Sequence, residues 1–171
     1  MDFLSPCSTS SYNGPLVYDN FEMLNELVGI RLPWNVRKLI NIYLAAPDFP
    51  DVNTEILVKL NECLTYHNFT PRLPVRENGI ATKDLNYQEE LTIFRKDVSL
   101  LDDCELLIAV LLYNDPGTLV ELGMFKQTGK PTIVFDPFNH CDNMFVRHTP
   151  DYLCKTIADV IGAVYLCMGR R

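Results

Sequence analysis

The chain has 171 residues, of which 47% are hydrophobic and 22% charged, with a net charge of −7 and an isoelectric point near 4.9. This length and composition are typical of one globular domain with a sizeable core. The negative charge argues against a nucleic-acid polymer as partner, whereas a small neutral ligand is compatible with it. No apolar run approaches the roughly 20 residues of a membrane span.

Two further features predict a cytoplasmic protein. Residues 1–20 lack the basic and apolar regions of a signal peptide. No C-x-x-C pair occurs, and several cysteines lie within apolar segments, a pattern typical of reduced, mostly buried thiols rather than of a disulfide framework. The six cysteines are Cys7, Cys63, Cys104, Cys141, Cys154 and Cys167.

The first part of the chain is predicted to hold an extension, residues 1–38, ahead of a domain over residues 39–171. Within the extension, Asp19 or Asn20 could cap a short helix that ends at Gly29, and residues 32–35 are typical of a connector. The apolar run 39–45 predicts a buried strand, and the helical spacing in 54–66 predicts a helix. A weaker strand or loop follows over 69–75, then a mobile polar loop over 78–84 and a helix over 87–101.

The second part contains the most apolar segment, residues 106–113, which predicts a central strand covered on both faces. A helix over 118–128 is expected to end at Gly129, and 132–135 is another buried strand. A helix over 151–161 and a strand over 163–167 complete the predicted domain. Strands that alternate with helices indicate an α/β sheet, mostly parallel.

Two loops are the first candidates for chemistry, because open α/β sheets bind ligands beyond the carboxyl ends of their strands. One loop follows the first strand at residues 43–47. The other, Asn114-Asp115-Pro116-Gly117-Thr118, precedes a helix that presents free backbone N–H groups. Polar groups from both loops are expected to converge at one edge of the sheet.

Glu121 has two interpretations. Thr118-Leu119-Val120-Glu121 fits the S/T-x-x-E capping box, in which Glu121 only satisfies a backbone N–H. Against this, Asp115 could bring a second carboxylate to the same strand end. Gly123 costs the helix about 1 kcal/mol relative to alanine, which suggests that something approaches the helix closely. These residues alone leave both interpretations open.

Other polar residues carry little functional signal by themselves. Asp97 fits a solvated helix position, and Tyr43 fits a strand. No G-x-G-x-x-G, Walker-type loop or nucleophile turn is present. Three possible metal ligands match no zinc spacing and are interpreted as loop residues, namely His140, Cys141 and His148.

Taken in order, several segments resemble nucleoside 2-deoxyribosyltransferases over about residues 39–168. The first strand and its loop do so through Ile42-Tyr43-Leu44-Ala45-Ala46-Pro47-Asp48-Phe49, and the following helix through Phe94-x-x-Asp97. The segment Asp115-Pro116-Gly117-Thr118-Leu119-Val120-Glu121-Leu122-Gly123 resembles the family's D-x-G-T-x-x-E-x-G signature, and Gly129-Lys130-Pro131 closes its helix in the same way. Asp142-Asn143-Met144 resembles a segment that a neighbouring subunit lends to the active site.

The resemblance implies a flavodoxin-like (Rossmann-like) fold, a mostly parallel sheet with helices on both faces, and transfer of the 2-deoxyribosyl group between nucleobases. Glu121 would attack C1′ of the sugar and form a glycosyl ester. Tyr43 would orient that carboxylate, and Asp97 would exchange a proton with the departing and incoming bases. The reaction would need no metal and no organic cofactor.

Other residues are expected to bind the substrates, a deoxynucleoside and a free nucleobase. Asp115 would bind the sugar hydroxyls or the base. The further candidates are Pro47, Phe49, Gly117, Asn143 and Met144. Because the last two would come from a neighbour, a homo-oligomer with sites near subunit interfaces is expected.

Two rival functions remain at this point. A 2′-deoxynucleoside 5′-monophosphate N-hydrolase would pass the sugar to water and would need phosphate-binding groups, for which Arg72, Arg76 and Arg147 are available. A nucleoside- or nucleotide-binding module would use Glu121 only as a cap. The end of the chain, Met168-Gly169-Arg170-Arg171, departs from members that place a terminal carboxylate in a neighbour's site. Base preference is left open and is expected to depend on loops 47–53 and 76–88.

Overall fold

The structure is a computed structural model and describes residues 32–169, so the predicted helix after Asp19 or Asn20 lies outside the described residues. Within this range the strands are β1 (Asn41–Ala45), β2 (Thr70–Arg72), β3 (Leu106–Val110), β4 (Thr132–Phe135) and β5 (Tyr152–Cys154). The helices are α1 (Trp34–Arg37), α2 (Glu55–Tyr66), α3 (Pro74–Asn78), α4 (Tyr87–Asp102), α5 (Pro116–Lys126), α6 (Met144–His148) and α7 (Ile157–Met168).

The five strands form one sheet in the order β2-β1-β3-β4-β5, and each neighbouring pair is parallel. The predicted α/β fold with its mostly parallel sheet is therefore confirmed. The chain moves outward from β1 to β2 and then returns to β3 on the other side of β1. This reversal opens a crevice at the carboxyl ends of β1 and β3, where such sheets bind ligands.

Helices cover both faces of the sheet, which explains why β3 is apolar at every position. Leu106, Ile108 and Val110 face the core formed with α2 and α7. Leu107 and Ala109 face the second core, formed with α4 and α5. A strand that is buried on both faces has no reason to alternate apolar and polar residues.

The segment before β1 forms one helical turn, α1, rather than a plain connector. Arg37 is buried, and its Nε donates a hydrogen bond to the Leu32 carbonyl oxygen over 2.8 Å. Its guanidinium lies 5.5 Å from the ring centre of Trp34 and 5.1 Å from that of Tyr165 on α7. Residues 32–37 thus pack on the domain. The division of the chain at residue 38 stays a prediction.

The prediction for the last two elements is wrong. A helix over 151–161 and a strand over 163–167 were expected, but β5 comes first and α7 follows it. Helix α7 starts at a capping box in which the Thr156 and Asp159 side chains each accept the other's backbone N–H. The helix lies against the sheet and α2, so residues 160–165 are buried almost all round. An all-apolar run without helical periodicity cannot be distinguished from a buried strand by pattern alone.

Three other boundaries also differ from the predictions. Strand β3 ends at Val110 instead of residue 113, and α5 begins at Pro116 instead of residue 118. The segment 69–75 holds both β2 and the start of α3.

Cys63, Cys104 and Cys154 are buried, as their apolar surroundings indicate. No helix within residues 32–169 is both long enough and apolar enough to cross a lipid bilayer.

Candidate active site

A cavity of about 430 Å³ lies at the carboxyl ends of β1 and β3. This volume is in the range of small-molecule sites. Its walls come from β1 and the loop after it, from α3 and the loop after it, and from α4 and α5. Four lining residues carry ionisable groups, namely Tyr43, Asp97, Asp115 and Glu121. Apolar side chains form most of the remaining wall, among them Phe49, Val75, Ile80, Phe94, Val120 and Met124.

Tyr43 and Glu121 connect the strand β1 side of the cavity with the helix α5 side. The Tyr43 hydroxyl donates a hydrogen bond to Glu121 Oε1 over 2.6 Å, although the residues are 78 positions apart. Tyr43 is fully buried on β1, and Glu121 is on α5, the helix that follows β3. Because β1 and β3 pair directly, the fold brings these two elements together.

The capping interpretation of Glu121 is wrong. Helix α5 is capped by Asp115, whose Oδ2 accepts hydrogen bonds from the Thr118 backbone N–H over 2.7 Å and from Thr118 Oγ1 over 2.8 Å. The helix therefore starts two residues earlier than predicted, with Pro116 in its first turn. Glu121 lies in the second turn, and its carboxylate contacts Tyr43 rather than a helix-start N–H.

Burial raises the pKa of Glu121 to about 7, and the negative charges of Asp97 and Asp115 add to this rise. The hydrogen bond from Tyr43 partly offsets it. Burial and the neighbouring Glu121 also raise the pKa of Tyr43 far above its ordinary value, so the phenol stays protonated. Among residues 32–169, Glu121 therefore has a hydrogen-bond donor but no cation as partner, and its charged form is held only weakly near neutral pH.

Asp97 lies on α4, facing the same cavity. Its Oδ1 accepts a hydrogen bond from Asn78 Nδ2 over 2.8 Å. Burial raises the pKa of Asp97, and the Asn78 hydrogen bond partly offsets this rise. Asp97 is thus a half-buried cavity residue rather than a solvated one, and Asn78 is a partner that the sequence did not indicate.

Of the residues predicted to bind substrate, Gly117 and Phe49 line the cavity, whereas Pro47 is not among its lining residues. A Cβ on Gly117 would lie 3.1 Å from Asp115 Oδ2, so glycine leaves room for the capping carboxylate. At Gly123 the predicted close approach is not found within residues 32–169, because a Cβ there would meet no atom within 4 Å.

Asn143 and Met144 do not reach the cavity of their own chain. Asn143 caps α6, where its Oδ1 accepts the Phe145 backbone N–H over 2.8 Å. Met144 is 61% exposed and the neighbouring Phe145 is 71% exposed. Both apolar side chains therefore lie on the surface of the single chain.

The loop that carries His140 and Cys141 is organised by a carboxylate. Asp136 is fully buried, and its oxygens accept the backbone N–H groups of His140 over 2.7 Å and Cys141 over 3.2 Å. Lys155 Nζ lies 2.6 Å from the same carboxylate. Across residues 32–169, no three side chains of the metal-binding types form a candidate metal site. The sequence indicated neither Asp136 nor Lys155.

The arginines proposed as phosphate-binding groups are engaged elsewhere or lie apart from the cavity. Arg72 is paired with Glu77, and Arg76 with Asp48. The exposed Arg147 is not a lining residue. Among the described residues that line the cavity there is no lysine, arginine or histidine.

The fold is shared with solved structures of known proteins. The chain is similar to a 2-deoxyribosyltransferase from the psychrotolerant bacterium Bacillus psychrosaccharolyticus, with a TM-score of 0.60 and 23% identity over 70% of this chain and 89% of that one. At this identity the likeness shows a shared fold. A conserved protein from Enterococcus faecalis V583 has a TM-score of 0.46 and 20% identity over 75% of this chain and 88% of that one, too low a structural similarity to support an inference.

No curated protein matches the sequence significantly. A family model described as nucleoside 2-deoxyribosyltransferase matches residues 42–150. That range contains Tyr43, Asp97, Asp115 and Glu121, and it covers more than half of the chain. The protein therefore belongs to the nucleoside 2-deoxyribosyltransferase family.

Proposed function

We propose that the protein transfers the 2-deoxyribosyl group between nucleobases of 2′-deoxynucleosides in the cytoplasm, through a covalent ester on Glu121. The observation that carries this proposal is the environment of Glu121. Its carboxylate lines a cavity of about 430 Å³, receives a hydrogen bond from Tyr43 and has no cationic partner in the part of the chain that the structure describes. A carboxylate held in this way is available to attack an electrophilic carbon.

In the first step, a Glu121 oxygen forms a bond to C1′ of the deoxyribose as the bond from C1′ to the base nitrogen breaks. The departing base takes the electron pair of that bond and a proton from Asp97. Tyr43 keeps the carboxylate oriented. In the second step, a nitrogen of the incoming base attacks C1′, its proton returns to Asp97, and Glu121 is released.

Two successive inversions at C1′ give net retention, as in retaining glycosidases. In this proposal Glu121 as nucleophile and Asp97 as proton carrier are sufficient for the exchange of bases. Neither a metal ion nor an organic cofactor is part of the proposal. Asp115, Gly117 and Phe49 would contact the bound nucleoside at the wall of the cavity.

The charge of the cavity supports a nucleoside over a nucleoside 5′-monophosphate. Within the described lining there is no cationic side chain, and the carboxyl groups of Asp97, Asp115 and Glu121 face the cavity. Phosphate groups are normally held by arginine, lysine or backbone N–H groups. Arg72 and Arg76 already pair with carboxylates. The hydrolase is therefore the second candidate.

The same environment weighs against a binding module. Such a module gains nothing from a partly buried carboxylate that has no cation beside it among the described residues, because burial of that charge costs free energy. Raised pKa values of this kind are typical of groups with a chemical task.

Exposed apolar side chains on α6 support an assembly of several copies. Met144 and Phe145 project from the surface of the single chain, away from its own cavity. We propose that Asn143 and Met144 complete the site of a neighbouring subunit. Light scattering combined with activity measurements tests this, and a fully active monomer would contradict it.

The experiment for the activity is incubation of one deoxynucleoside with a second free base, with products separated by chromatography. The transferase forms a second deoxynucleoside, and the yield depends on the added base. A hydrolase releases free sugar without an acceptor and prefers a 5′-monophosphate. A binding module forms neither product. Mass spectrometry of Glu121-containing peptides after acid quenching should detect the deoxyribosyl ester.

A further inference from the structure

We propose that Asn78 is a positioning residue, whose side-chain amide fixes one oxygen of Asp97 so that the other oxygen exchanges the proton with the nucleobase. This inference rests on the proposed function, in which Asp97 carries that proton. It assigns a role to a residue that neither the family signature nor the cavity lining includes.

The contact joins two helices that enclose the cavity. Asn78 is the last residue of α3, and its Nδ2 donates to Asp97 Oδ1 on α4 over 2.8 Å. Gly79 follows with a φ of 97°, a left-handed value that ends the helix there. Gly79 lines the cavity and Asn78 does not. Asn78 therefore acts on a ligand through Asp97 and not by direct contact.

The chemistry of the two groups determines which oxygen of Asp97 carries the acid proton. A carboxylic acid can carry its proton on either oxygen, and rotation of the side chain exchanges them. An amide N–H can only donate, so it binds an oxygen that is acting as acceptor. With Oδ1 engaged in this way, the acid proton is carried by Oδ2. That oxygen has no protein partner in the described part of the chain.

The charges around Asp97 make this orientation matter. Among the described residues on other elements, the charge of Asp97 raises the pKa of Tyr43 on β1 and of Glu121 on α5. On its own helix, the neighbouring Arg95 and Lys96 are exposed. Burial raises the pKa of Asp97, and the Asn78 amide opposes that rise by stabilising the carboxylate. Loss of the amide should therefore raise the pKa of Asp97 further and free its side chain to rotate.

Two variants separate these effects. Asn78→Ala removes the donor, and Asn78→Asp keeps the shape but replaces the donor with a second carboxyl group. We expect kcat for base exchange to fall about tenfold in the alanine variant and further in the aspartate variant. We expect KM to change little, because Asn78 does not line the cavity. A raised KM with unchanged kcat would overturn the proposal, since it would indicate direct contact with the substrate.

The decisive readout does not depend on turnover. The protein is labelled with carboxyl-¹³C aspartate, and the Asp97 resonance is identified by its loss in Asp97→Asn. We expect the pKa of Asp97 to increase from wild type to Asn78→Ala and again to Asn78→Asp. An unchanged Asp97 pKa in both variants would overturn the proposal.

Asn86→Ala is the matched control. Asn86 caps the same helix α4 through the backbone N–H groups of Gln88 and Glu89, without a contact to Asp97. This variant should melt at a lower temperature yet keep the wild-type Asp97 pKa and kcat. If it reproduces the Asn78 effects, Asn78 only stabilises the helix and the proposal fails. If wild-type protein exchanges no bases at all, the proposed function fails, and the NMR titration still decides whether Asn78 controls Asp97.

Discussion

Glu121, which is partly buried, and Asp136, which is fully buried, both lie near the carboxyl ends of neighbouring strands, yet their environments are opposite. Asp136 directly follows β4, and burial alone would raise its pKa. Instead Lys155 and two backbone N–H groups hold its pKa below the usual range. Glu121 on α5 receives one hydrogen bond from the described residues, that of Tyr43, and burial raises its pKa to about 7.

The comparison shows that burial does not decide what a carboxylate does. Asp136 has enough donors to remain an anion, and it fixes the loop over residues 137–141. Glu121 has too few hydrogen-bond donors to hold its charge firmly, so a bound ligand can supply the missing interaction. Asp136 stabilises the fold, whereas on the proposed function Glu121 is kept reactive at the expense of stability.

The largest expected effect is that of Glu121→Gln. The amide cannot form the glycosyl ester, so base exchange should fall more than about a thousandfold. Glutamine still accepts the Tyr43 hydrogen bond, so the fold should persist. Chromatography of the exchange products measures the loss. Exchange within tenfold of wild type would remove Glu121 as the nucleophile.

The same variant should also be more stable than wild type at alkaline pH. The folded-state pKa of Glu121 is above its unfolded value, so its contribution to stability is fully present below pH 4.5 and is lost as pH rises through about 7. Glutamine does not carry that cost. We expect a gain on the order of 1–3 kcal/mol at pH 8.5 that disappears near pH 4.5. Thermal melts at the two pH values measure the difference.

Asp136→Asn should have the opposite profile. Loss of the charge leaves Lys155 without its partner and weakens two backbone hydrogen bonds, which should cost about 2–4 kcal/mol of unfolding free energy. Because the folded pKa of Asp136 is lowered, its stabilisation is present above the ordinary aspartate value and is lost as pH falls through the folded value. Urea unfolding at pH 7 and pH 3 measures both effects. Equal stability of the variant and wild type at pH 7 would contradict a stabilising role for the Asp136 carboxylate.

Tyr43→Phe removes the hydrogen bond to Glu121 while the ring still fills its buried site. We expect kcat to fall about 10- to 100-fold with little change in KM. The lost hydrogen bond lowers the Glu121 pKa in wild type, so the acid limb of the pH–rate profile should move to higher pH. Tyr165→Phe is the control, because that buried hydroxyl contacts His67 on the other face of the sheet. Equal kinetics in both variants would leave Tyr43 as a core residue.

Asp115→Ala should have the smallest effect on the protein. It removes the cap of α5, which should cost about 1 kcal/mol of stability, and it should raise KM several-fold. Asp115→Asn keeps a capping oxygen and separates the two effects, because it should restore stability without the charge. Calorimetry and steady-state kinetics of the pair measure them. Unchanged kinetics in both variants would remove Asp115 from the site.

The sequence predicted the central part of the fold because the apolar runs at 39–45, 106–113 and 132–135 are short and bounded by turn residues. It failed at α7, where burial all round removes helical periodicity. It also misjudged the start of α5, although Asp115 followed by Pro116 is a strong helix-start signal. That signal competed with Thr118 and Glu121. In the structure Asp115 accepts the Thr118 backbone N–H and Glu121 accepts the Tyr43 hydroxyl, which decides between the two interpretations.

Contacts between elements that are distant in sequence were the part of the site that was hardest to predict from the sequence. The pairing of Tyr43 with Glu121 was expected only through the family resemblance. Asn78 has no local signal, because its role depends on how α3 packs on α4. Lys155 and Asp136 meet only because β4 and β5 are neighbours in the sheet.

The absence of a cationic group from the described lining of the cavity has a consequence for metabolism. A deoxynucleoside that has been phosphorylated carries nearly two negative charges at neutral pH. It would meet the carboxyl groups of Asp97, Asp115 and Glu121 with nothing to neutralise it. On the proposed function, phosphorylation would therefore withdraw a nucleoside from base exchange. Nucleoside kinases and this protein would compete for the same deoxynucleosides. Once a kinase had phosphorylated a deoxynucleoside, its base could no longer be exchanged.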